Sequence, residues 1–403
     1  MRRLRRVLGP VALAATVVLV AASCATDGSD GATTERSTSS ASPAGRGTTT
    51  APPVSVDALD SRTCAWPTVA SKGTSNIAYP DTAATYWVTP FRLAAGQSLS
   101  VEGRFPDARY ASFITYDPKG DPEAVLTDVD LDPIGGGANP FATDAPSGGR
   151  YASPLEASGT GSIIYRVYLG RPASDPTGGV GLPRIVVHEA DGSSRSVGPC
   201  PRPTRSERAG RLVDRYGPAT DKVAPPTPVF LRPAGDGANL YPNPDNTYVA
   251  TILHHEPGRV AVIRGRAPTF PDTGAGQSVA GDHQVRYWSL CSNEYRKPYP
   301  VSACVADQDV ALADDGTYTV VVSTTEDRPA NATTADGVTW LPWGSTKVDV
   351  LLLLRQMLPA TSFPQAAAKV PPGDLAVPTM RAYAPIGAYC TTAQFESYDP
   401  ACG

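Results

Sequence analysis

Aromatic, arginine, amide and carboxylate side chains recur at matched spacing in the two halves of this 403-residue chain. Tyrosine and tryptophan rings stack on sugars and other flat ligands, and planar polar groups orient such ligands. The candidate ligand-binding residues of the second half are Asp245, Asn246, Tyr248, Arg266, Arg286 and Trp288. The first half offers Asp81, Tyr86, Arg104 and Arg109. The alternative is that the rings are core residues and the charged groups form structural pairs at strand ends.

Catalytic motifs are sparse in this sequence. Four histidines are present, and His254 and His255 are adjacent and are followed by Glu256. Neighbouring residues of a strand point to opposite faces, so the two rings cannot bind one metal unless the strand is broken. Neither an HExxH motif nor a GxSxG motif occurs. We therefore predict no metal and no cofactor, and whether the protein is an enzyme stays open.

A cluster of aspartates raises the possibility of a calcium-binding site. Asp128, Asp130 and Asp132 alternate in sequence and would share one face of a strand, which could hold calcium. However, Pro133 stands where an EF-hand loop needs glycine, and no terminal glutamate follows. Because Asp307 and Asp309 repeat the first two positions in the second half, we favour a structural turn that both halves share.

The repeated residues of the two halves are separated by constant sequence offsets. Tyr79-Pro80 and Tyr241-Pro242 are 162 positions apart, and so are Gly103 and Gly265. After Pro268 the second copy carries about 15 extra residues, and the motif that begins at Arg109 then returns at Arg286, 177 positions later. Shared spacing at this many positions predicts an internal duplication.

Each copy has the pattern of β-structure. Runs such as "SLSVEGRF", "RVAVIRGRA", "RYASFITYD" and "SIIYRVYLG" alternate or are rich in β-branched and aromatic residues, and turns with Gly and Pro separate them. The predicted fold class is all-β, with two duplicated antiparallel β-sandwich or jelly-roll domains and one C-terminal helix. That helix is predicted in "STKVDVLLLLRQMLP", residues 345–359, from its apolar spacing and from Pro359 as its end.

The N-terminus predicts export. Four arginines precede an apolar run from Val7 to Ala22, which is typical of a signal peptide. Ala21, Ala22 and Ser23 before Cys24 resemble a bacterial lipobox, which implies lipidation of Cys24 and anchoring to the outer face of the cell membrane. An ordinary cleaved signal peptide or an uncleaved anchor is the alternative.

Six further cysteines form an even set, which in an oxidising compartment predicts disulfides. The preferred pairing joins Cys64 with Cys200 at the two ends of the first domain, Cys291 with Cys304 across a hairpin, and Cys390 with Cys402 in the tail. Sequence alone does not decide strictly among the possible pairings.

Changes in composition set the expected organisation of the chain. The residues after Cys24 are rich in Ser, Thr, Gly and Ala and have almost no large apolar side chains, which is typical of a flexible tether. The predicted segments are a signal peptide at 1–23, a tether at 24–56, a first sandwich at 57–200, a connector with a short helix at 201–225, a second sandwich at 226–360 and an extended C-terminal segment at 361–403.

A family resemblance follows from these motifs. The series Tyr241-Pro242-Asn243, Asp245-Asn246-Thr247-Tyr248 and Arg286-Tyr287-Trp288-Ser289 resembles the paired families known as domains of unknown function 1254 and 1214. The run from Asp314 to Pro359 resembles the end of the second of these. The resemblance covers roughly residues 74–359 and implies an all-β jelly-roll or sandwich core, with no general activity assigned.

The net charge of −4 argues against a nucleic-acid partner, which would need a concentrated basic face. The leading hypothesis is an exported lipoprotein that binds an envelope or extracellular ligand, a carbohydrate or a lipid, without catalysis, and that meets the membrane only through its lipid anchor. One alternative is a hydrolase or lyase that uses carboxylates such as Asp245 with Arg286. Another is a structural or protein-interaction module that acts through exposed sandwich edges.

Overall fold

The computed structural model describes residues 64–204, 213, 220, 222–234 and 241–402. The predicted signal peptide at 1–23, the lipidation residue Cys24, the tether at 24–56 and most of the connector at 201–225 lie outside these residues. The described residues belong to one unit, Ser55–Gly403.

The first half of the described chain forms a β-sandwich, as its alternating sequence runs predict. The burial of β3 (Ser98–Arg104) alternates along the strand, whereas β4 (Tyr110–Tyr116) is buried at every position and therefore on both faces of its sheet. One sheet has the order β1 (Thr68–Ala70), β2 (Ala84–Arg92), β8 (Thr160–Tyr168), β4 (Tyr110–Tyr116) and β5 (Pro122–Thr127). The other has the order β10 (Ser194–Val197), β9 (Arg184–His188), β3 (Ser98–Arg104), β7 (Arg150–Leu155) and β6 (Pro133–Ile134).

The second half repeats this arrangement. One sheet has the order β11 (Asn246–Leu253), β17 (Val350–Met357), β13 (Tyr287–Glu294) and β14 (Val301–Ala306). The other has the order β16 (Val338–Pro342), β15 (Thr317–Ser323), β12 (Arg259–Arg266) and β18 (Ile386–Thr391). All neighbouring strands in both sandwiches are antiparallel except β15 and β16, which are parallel. Two sheet pairs of this kind confirm the predicted fold class.

The predicted helix at 345–359 is wrong. Val350–Met357 is strand β17, which lies between β11 and β13 and hydrogen-bonds to both. Seven of its eight positions are buried, because a central strand of this sheet is covered on both faces. A short apolar run with this environment cannot be distinguished from a buried helix by its spacing.

The C-terminal segment also differs from its prediction. It contains two short helices, α1 (Ala376–Met380) and α2 (Thr392–Glu396), and between them β18, which pairs with β12. The second sandwich therefore extends well past residue 360. Phe363, Ala366 and Val370 contribute to the hydrophobic core of the second sandwich, so this segment packs against the sandwich.

Repeated glycines have a packing reason in both copies. Gly103 lies opposite Tyr151 across β3 and β7, and Gly265 lies opposite Tyr318 across β12 and β15. A Cβ atom on either glycine would come within 2.6 Å or 2.7 Å of the tyrosine hydroxyl oxygen. Only glycine leaves space for the ring over the strand, so the repeated motif records a shared cross-strand contact.

All three preferred disulfides are confirmed. Cys64 is bonded to Cys200, Cys291 to Cys304, and Cys390 to Cys402. Cys291 and Cys304 are direct partners across β13 and β14, as a hairpin bridge requires.

Candidate functional site

The residues repeated in both copies meet where the two sandwiches touch. We call this surface the interdomain seam and define it by its apolar residues, to which each sandwich contributes: Ala84, Tyr110, Tyr168, Tyr287, Ala306 and Met357. The tyrosines contact one another in edge-to-face geometry, with 5.6 Å between the ring centroids of Tyr110 and Tyr168 and 5.4 Å between those of Tyr168 and Tyr287. Aromatic pairs prefer such geometry, so the seam is a packed interface.

Two ion pairs cross the seam in opposite directions. Arg109 of the first sandwich binds Asp307 of the second with an Nη1–Oδ2 distance of 2.9 Å, and both side chains are fully buried. Arg286 of the second sandwich binds Asp128 of the first with an Nη1–Oδ1 distance of 3.2 Å. Each arginine also approaches the backbone oxygen of the other, at 3.5 Å and 3.4 Å. This exchange is the relationship that a two-fold axis imposes on two equal subunits, here within one chain.

Each aspartate is held by its own sandwich before it pairs across the seam. Asp128 Oδ2 accepts the Ala111 N–H at 2.7 Å, and Asp307 Oδ2 accepts the Trp288 N–H at 3.0 Å. Burial raises the pKa of Asp128 to about 6 and that of Asp307 to about 7, and the facing arginine opposes this rise in each case. Desolvation therefore outweighs the attraction between the charges, as is common for buried pairs.

The aspartates that suggested calcium do not lie together. Asp128–Asp130 forms a 3₁₀ turn instead of a strand face, so Asp128 points into the seam while Asp130 and Asp132 are exposed. Asp307–Asp309 forms the same turn in the second copy. The expectation of a structural turn shared by both copies is confirmed.

The extra loop after Pro268 contacts the first sandwich. The Thr273 hydroxyl accepts from Arg109 Nε at 3.1 Å, its carbonyl oxygen accepts from Arg171, and the Phe270 ring lies 5.6 Å from the Arg109 guanidinium carbon. The insertion thus closes over the Arg109 ion pair and strengthens the contact between the sandwiches.

A second pair of arginines lies deeper in the seam, on the central strands. Arg355 on β17 donates from Nη1 to the Asp81 carboxylate, which also accepts from Ser289 at 2.7 Å and from Tyr287 at 3.0 Å. Arg166 is the equivalent of Arg355 on strand β8 of the first sandwich, and it donates from Nη2 to the Tyr116 hydroxyl at 2.6 Å. Both arginines are almost fully buried, with 2% and 3% of their surface exposed.

Tyrosines from both copies surround these arginines. The Arg166 guanidinium carbon lies 5.8 Å from the Tyr86 ring and 5.4 Å from the Tyr116 ring, and that of Arg355 lies 5.3 Å from the Tyr248 ring. Tyr86 and Tyr248 are partly buried residues, and the ring of each lies beside a buried cation. Rings over guanidinium groups stabilise the charge.

The predicted ligand-binding residues divide into three groups. Asp245, Asn246 and Tyr248 lie together at the seam, where Asp245 accepts from the Tyr110 hydroxyl at 2.6 Å and Asn246 Nδ2 lies 3.3 Å from the Tyr248 oxygen. Arg286 also lies at the seam, but its carboxylate partner is Asp128. The structure places the remaining two, Trp288 and Arg266, elsewhere.

Trp288 is fully buried in the core of the second sandwich and packs against Tyr318, and its indole N–H has no hydrogen-bond partner among the residues that the structure describes. Arg266 is exposed at the end of β12. Among the residues suggested in the first copy, Arg104 is exposed in the same way, whereas Asp81, Tyr86 and Arg109 belong to the seam.

The histidines of the described chain are dispersed. His254 Nδ1 lies 2.7 Å from Asp349, and His255 Nε2 lies 3.4 Å from Asp327, so the adjacent rings face different carboxylates. His188 contacts the Ser100 and Ser194 hydroxyls at 2.8 Å and 2.9 Å. Burial lowers the pKa of His283, and the positive charges of Arg109 and Arg286 add to this effect.

Sequence reasoning missed Arg166 and Arg355, the two cations at the centre of the seam. They are 189 positions apart, an offset that differs from both 162 and 177, because further loops between the strands change in length. The signal that could have found them is an arginine within an otherwise apolar strand pattern in each copy, since charged residues are almost never fully buried unless they are paired.

The described residues contain one group of side chains with metal-ligand spacing, namely Asp81, Cys291 and Cys304. The two sulfurs are joined in a disulfide and the carboxylate binds Arg355, so none of the three is available as a thiolate or free carboxylate ligand. No helix within the described ranges is both long enough and apolar enough to span a membrane.

No protein-family model matches the sequence, and no curated protein matches it. Among solved structures, the chain aligns over 82% of its length with 83% of an uncharacterized protein from Burkholderia cenocepacia, at 14% identity and a TM-score of 0.48. It also aligns over 77% of its length with 90% of the VPA0106 protein from Vibrio parahaemolyticus, at 12% identity and a TM-score of 0.40. At these TM-scores neither likeness supports a statement about function, and the resemblance to domains of unknown function 1254 and 1214 stays a prediction.

Proposed function

We propose that this protein is an exported lipoprotein that binds an envelope or extracellular ligand, a carbohydrate or a lipid, without catalysis. The observation that carries the proposal is the pair of partly exposed tyrosines, Tyr86 and Tyr248, beside the buried arginines Arg166 and Arg355. Ring faces next to fixed hydrogen-bond donors are the chemistry by which proteins hold sugars and polar head groups.

Export is supported by the disulfide bonds. The three disulfides fit an oxidising compartment, since cytosolic thiols are kept reduced. The lipid anchor rests on the sequence around Cys24 alone. Together these features favour a protein held at the outer face of the cell membrane.

The enzyme alternative has less support. A hydrolase or lyase built on Asp245 and Arg286 needs both groups to act on one substrate. Asp245 accepts hydrogen bonds from Tyr110 and Thr127, whereas Arg286 is engaged by Asp128. These separate networks favour a structural role for both residues over a joint catalytic role.

One observation favours the protein-interaction alternative. Strand β18 lies at the edge of its sheet, and its first residue, Ile386, is 61% exposed. Leu375 and Val377 nearby in sequence are each 49% exposed. Exposed edges with apolar side chains can pair with another chain. Sedimentation of the wild type and of Ile386→Lys tests this: concentration-dependent association in the wild type alone would support it.

The ligand hypothesis is tested by a thermal-shift screen of the purified protein against envelope sugars and lipids. A ligand of the folded state raises Tm by mass action. Tyr248→Ala should fold and lose the shift, whereas Tyr398→Ala, which removes a 77% exposed ring outside the seam, should keep it. If no sugar or lipid raises Tm, or if both variants respond like the wild type, the proposal fails.

A further inference from the structure

The two central arginines of the seam have different partners although their surroundings are equivalent. In one half, Asp81 Oδ2 accepts hydrogen bonds from Arg355, Ser289 and Tyr287. Its other oxygen, Oδ1, accepts the Ala83 N–H at 2.9 Å. A buried guanidinium group therefore has a buried carboxylate.

In the other half the equivalent of Asp81 is Asn243, by the same offset of 162 that relates Tyr79 to Tyr241. Asn243 Oδ1 accepts the Asp245 N–H at 3.0 Å, as Asp81 Oδ1 accepts the Ala83 N–H. The oxygen is fixed by this bond, so the amide NH₂ occupies the place of the second carboxylate oxygen and donates to the Tyr110 hydroxyl at 3.3 Å. The carboxylate of one half is thus an amide in the other.

This exchange leaves one guanidinium donor without an acceptor. Arg166 corresponds to Arg355 and Ser112 to Ser289, and in each half the arginine and the serine are direct partners across two strands. Arg166 Nη1 has no hydrogen-bond partner among the described residues, whereas the Ser112 hydroxyl lies within hydrogen-bonding reach of Tyr110, and both residues are at least 97% buried.

Arg166 donates hydrogen bonds to neutral groups. Its Nη2 donates to the Tyr116 hydroxyl at 2.6 Å and to the Tyr241 carbonyl oxygen at 3.1 Å. Burial raises the pKa of Tyr116 to about 12, against the opposing effect of Arg166, so the phenol is neutral at pH 7 and does not balance the charge. No described carboxylate forms an ion pair with Arg166. A buried charge without a counterion is costly.

We propose that the Arg166 half of the seam is a binding site for the carboxylate group of a ligand, held by Arg166 Nη1, the Ser112 hydroxyl and the Asn243 amide. The ligand supplies the charge that Asp81 supplies in the other half. This assignment rests on the proposed binding function and narrows its ligand class to molecules that carry a carboxylate, such as acidic sugars or fatty acids. Tyr86, a partly buried residue whose ring lies beside Arg166, belongs to the same site.

The test uses acetate as the smallest carboxylate probe. Tm of the purified protein is measured with sodium acetate and with sodium chloride at equal concentrations. We expect acetate to raise Tm saturably and more than chloride. Asn243→Asp places a carboxylate on the chain itself, so this variant should lose the acetate shift. Asn331→Asp, a matched change away from the seam, should keep the shift.

The opposite results would overturn the assignment. They are a wild-type shift that is equal in acetate and chloride, no shift at all, or an acetate shift of unchanged size in Asn243→Asp. Ser112→Ala provides a small second variant, for which we expect weaker acetate binding by calorimetry with an unchanged fold. Unchanged binding there would also contradict the assignment.

The carboxylate site and the proposed function can fail separately. Glucuronate and glucose, measured by calorimetry against wild type and Asn243→Asp, separate them. If both sugars bind and Asn243→Asp changes neither affinity, the protein binds carbohydrate but the carboxylate site is wrong. If acetate binds in an Asn243-dependent manner while no sugar or lipid binds, the carboxylate site stands and the proposed function fails.

Discussion

Arg109 and Asp307 are 198 positions apart in sequence, yet they form a fully buried ion pair between the two sandwiches. The same pair is made in reverse by Arg286 and Asp128. The duplicated residues therefore do not repeat one function in two separate places. They join two similar sandwiches through a pseudo-two-fold interface, and the tyrosine and arginine cluster of the seam exists because of that junction.

The first prediction concerns this ion pair. Asp307→Ala leaves the Arg109 guanidinium buried without its carboxylate, and we expect a loss of about 3–5 kcal/mol in the free energy of unfolding. Replacing both residues, as Arg109→Met with Asp307→Leu, should recover part of the loss, because no unpaired charge remains but the buried Trp288 N–H loses its acceptor. Urea denaturation measures both values.

The matched control is the exposed pair of Arg184 and Glu102, with an N–O distance of 3.6 Å. Glu102→Ala should cost less than about 1 kcal/mol, since solvent screens exposed pairs. If Asp307→Ala were as mild as this control, the ion pair would not hold the sandwiches together.

The second prediction is a pH dependence. Burial raises the pKa of Asp128 to about 6 and that of Asp307 to about 7 from the ordinary 3.8. The folded state then binds these protons more tightly than the unfolded state, so the stability from protonation is fully present below about pH 4 and is lost as the pH rises to about 7. Each unit of pKa difference corresponds to about 1.4 kcal/mol.

Asp128→Asn should remove part of this slope, because the amide does not titrate. The midpoint of urea denaturation, measured at pH 4, 5, 6 and 7, provides the comparison. Parallel curves for wild type and variant would show that Asp128 keeps an ordinary pKa in the folded protein.

The third prediction concerns a repeated glycine. In Gly265→Ala the new Cβ would lie 2.7 Å from the Tyr318 hydroxyl oxygen and 3.2 Å from the Ala384 carbonyl oxygen. We expect a loss of roughly 1–3 kcal/mol, as for other overpacked positions. Gly198→Ala is the control, because a Cβ there meets no atom within 4 Å. Equal stability of the two variants in thermal denaturation would contradict the proposed steric role.

The fourth prediction compares two disulfides. Cys64–Cys200 spans 136 positions and Cys390–Cys402 spans 12. In the chain-entropy model the longer loop stabilises more, by about 5 kcal/mol against about 3 kcal/mol. Replacing both cysteines of each bridge by alanine should therefore lower stability more for the first bridge. The reverse order in urea denaturation would be inconsistent with a dominant effect on the unfolded chain.

The fold was largely predictable because its signals are local. Strand-forming residue types, glycine turns and matched offsets in the two copies can be read within short windows, and the structure has strands where these signals predict them, at β3, β4, β12 and β13. The error at β17 has a physical reason. A strand buried on both faces loses its alternation, and "VLLLLRQM" then fits a helix as well as a strand.

The seam was not predictable from one copy at a time. The sequence predicts Arg286 and Asp245 as ligand-binding residues because polar residues kept in both copies resemble a site. A pairing between copies depends on long-range geometry that no local pattern records. The matched offsets of Arg109 with Arg286, 177 positions, and of Asp128 with Asp307, 179 positions, are the signal of such an interface in hindsight.

The central claim is that a ligand binds at the seam beside Tyr248. Its most direct test is calorimetric titration of the sugar or lipid that gives the largest thermal shift, using wild type, Tyr248→Ala and Tyr398→Ala. We expect Tyr248→Ala to bind roughly tenfold more weakly, since an aromatic contact contributes about 1 kcal/mol or more, and Tyr398→Ala to bind like the wild type. Unchanged affinity in a folded Tyr248→Ala would contradict the claim.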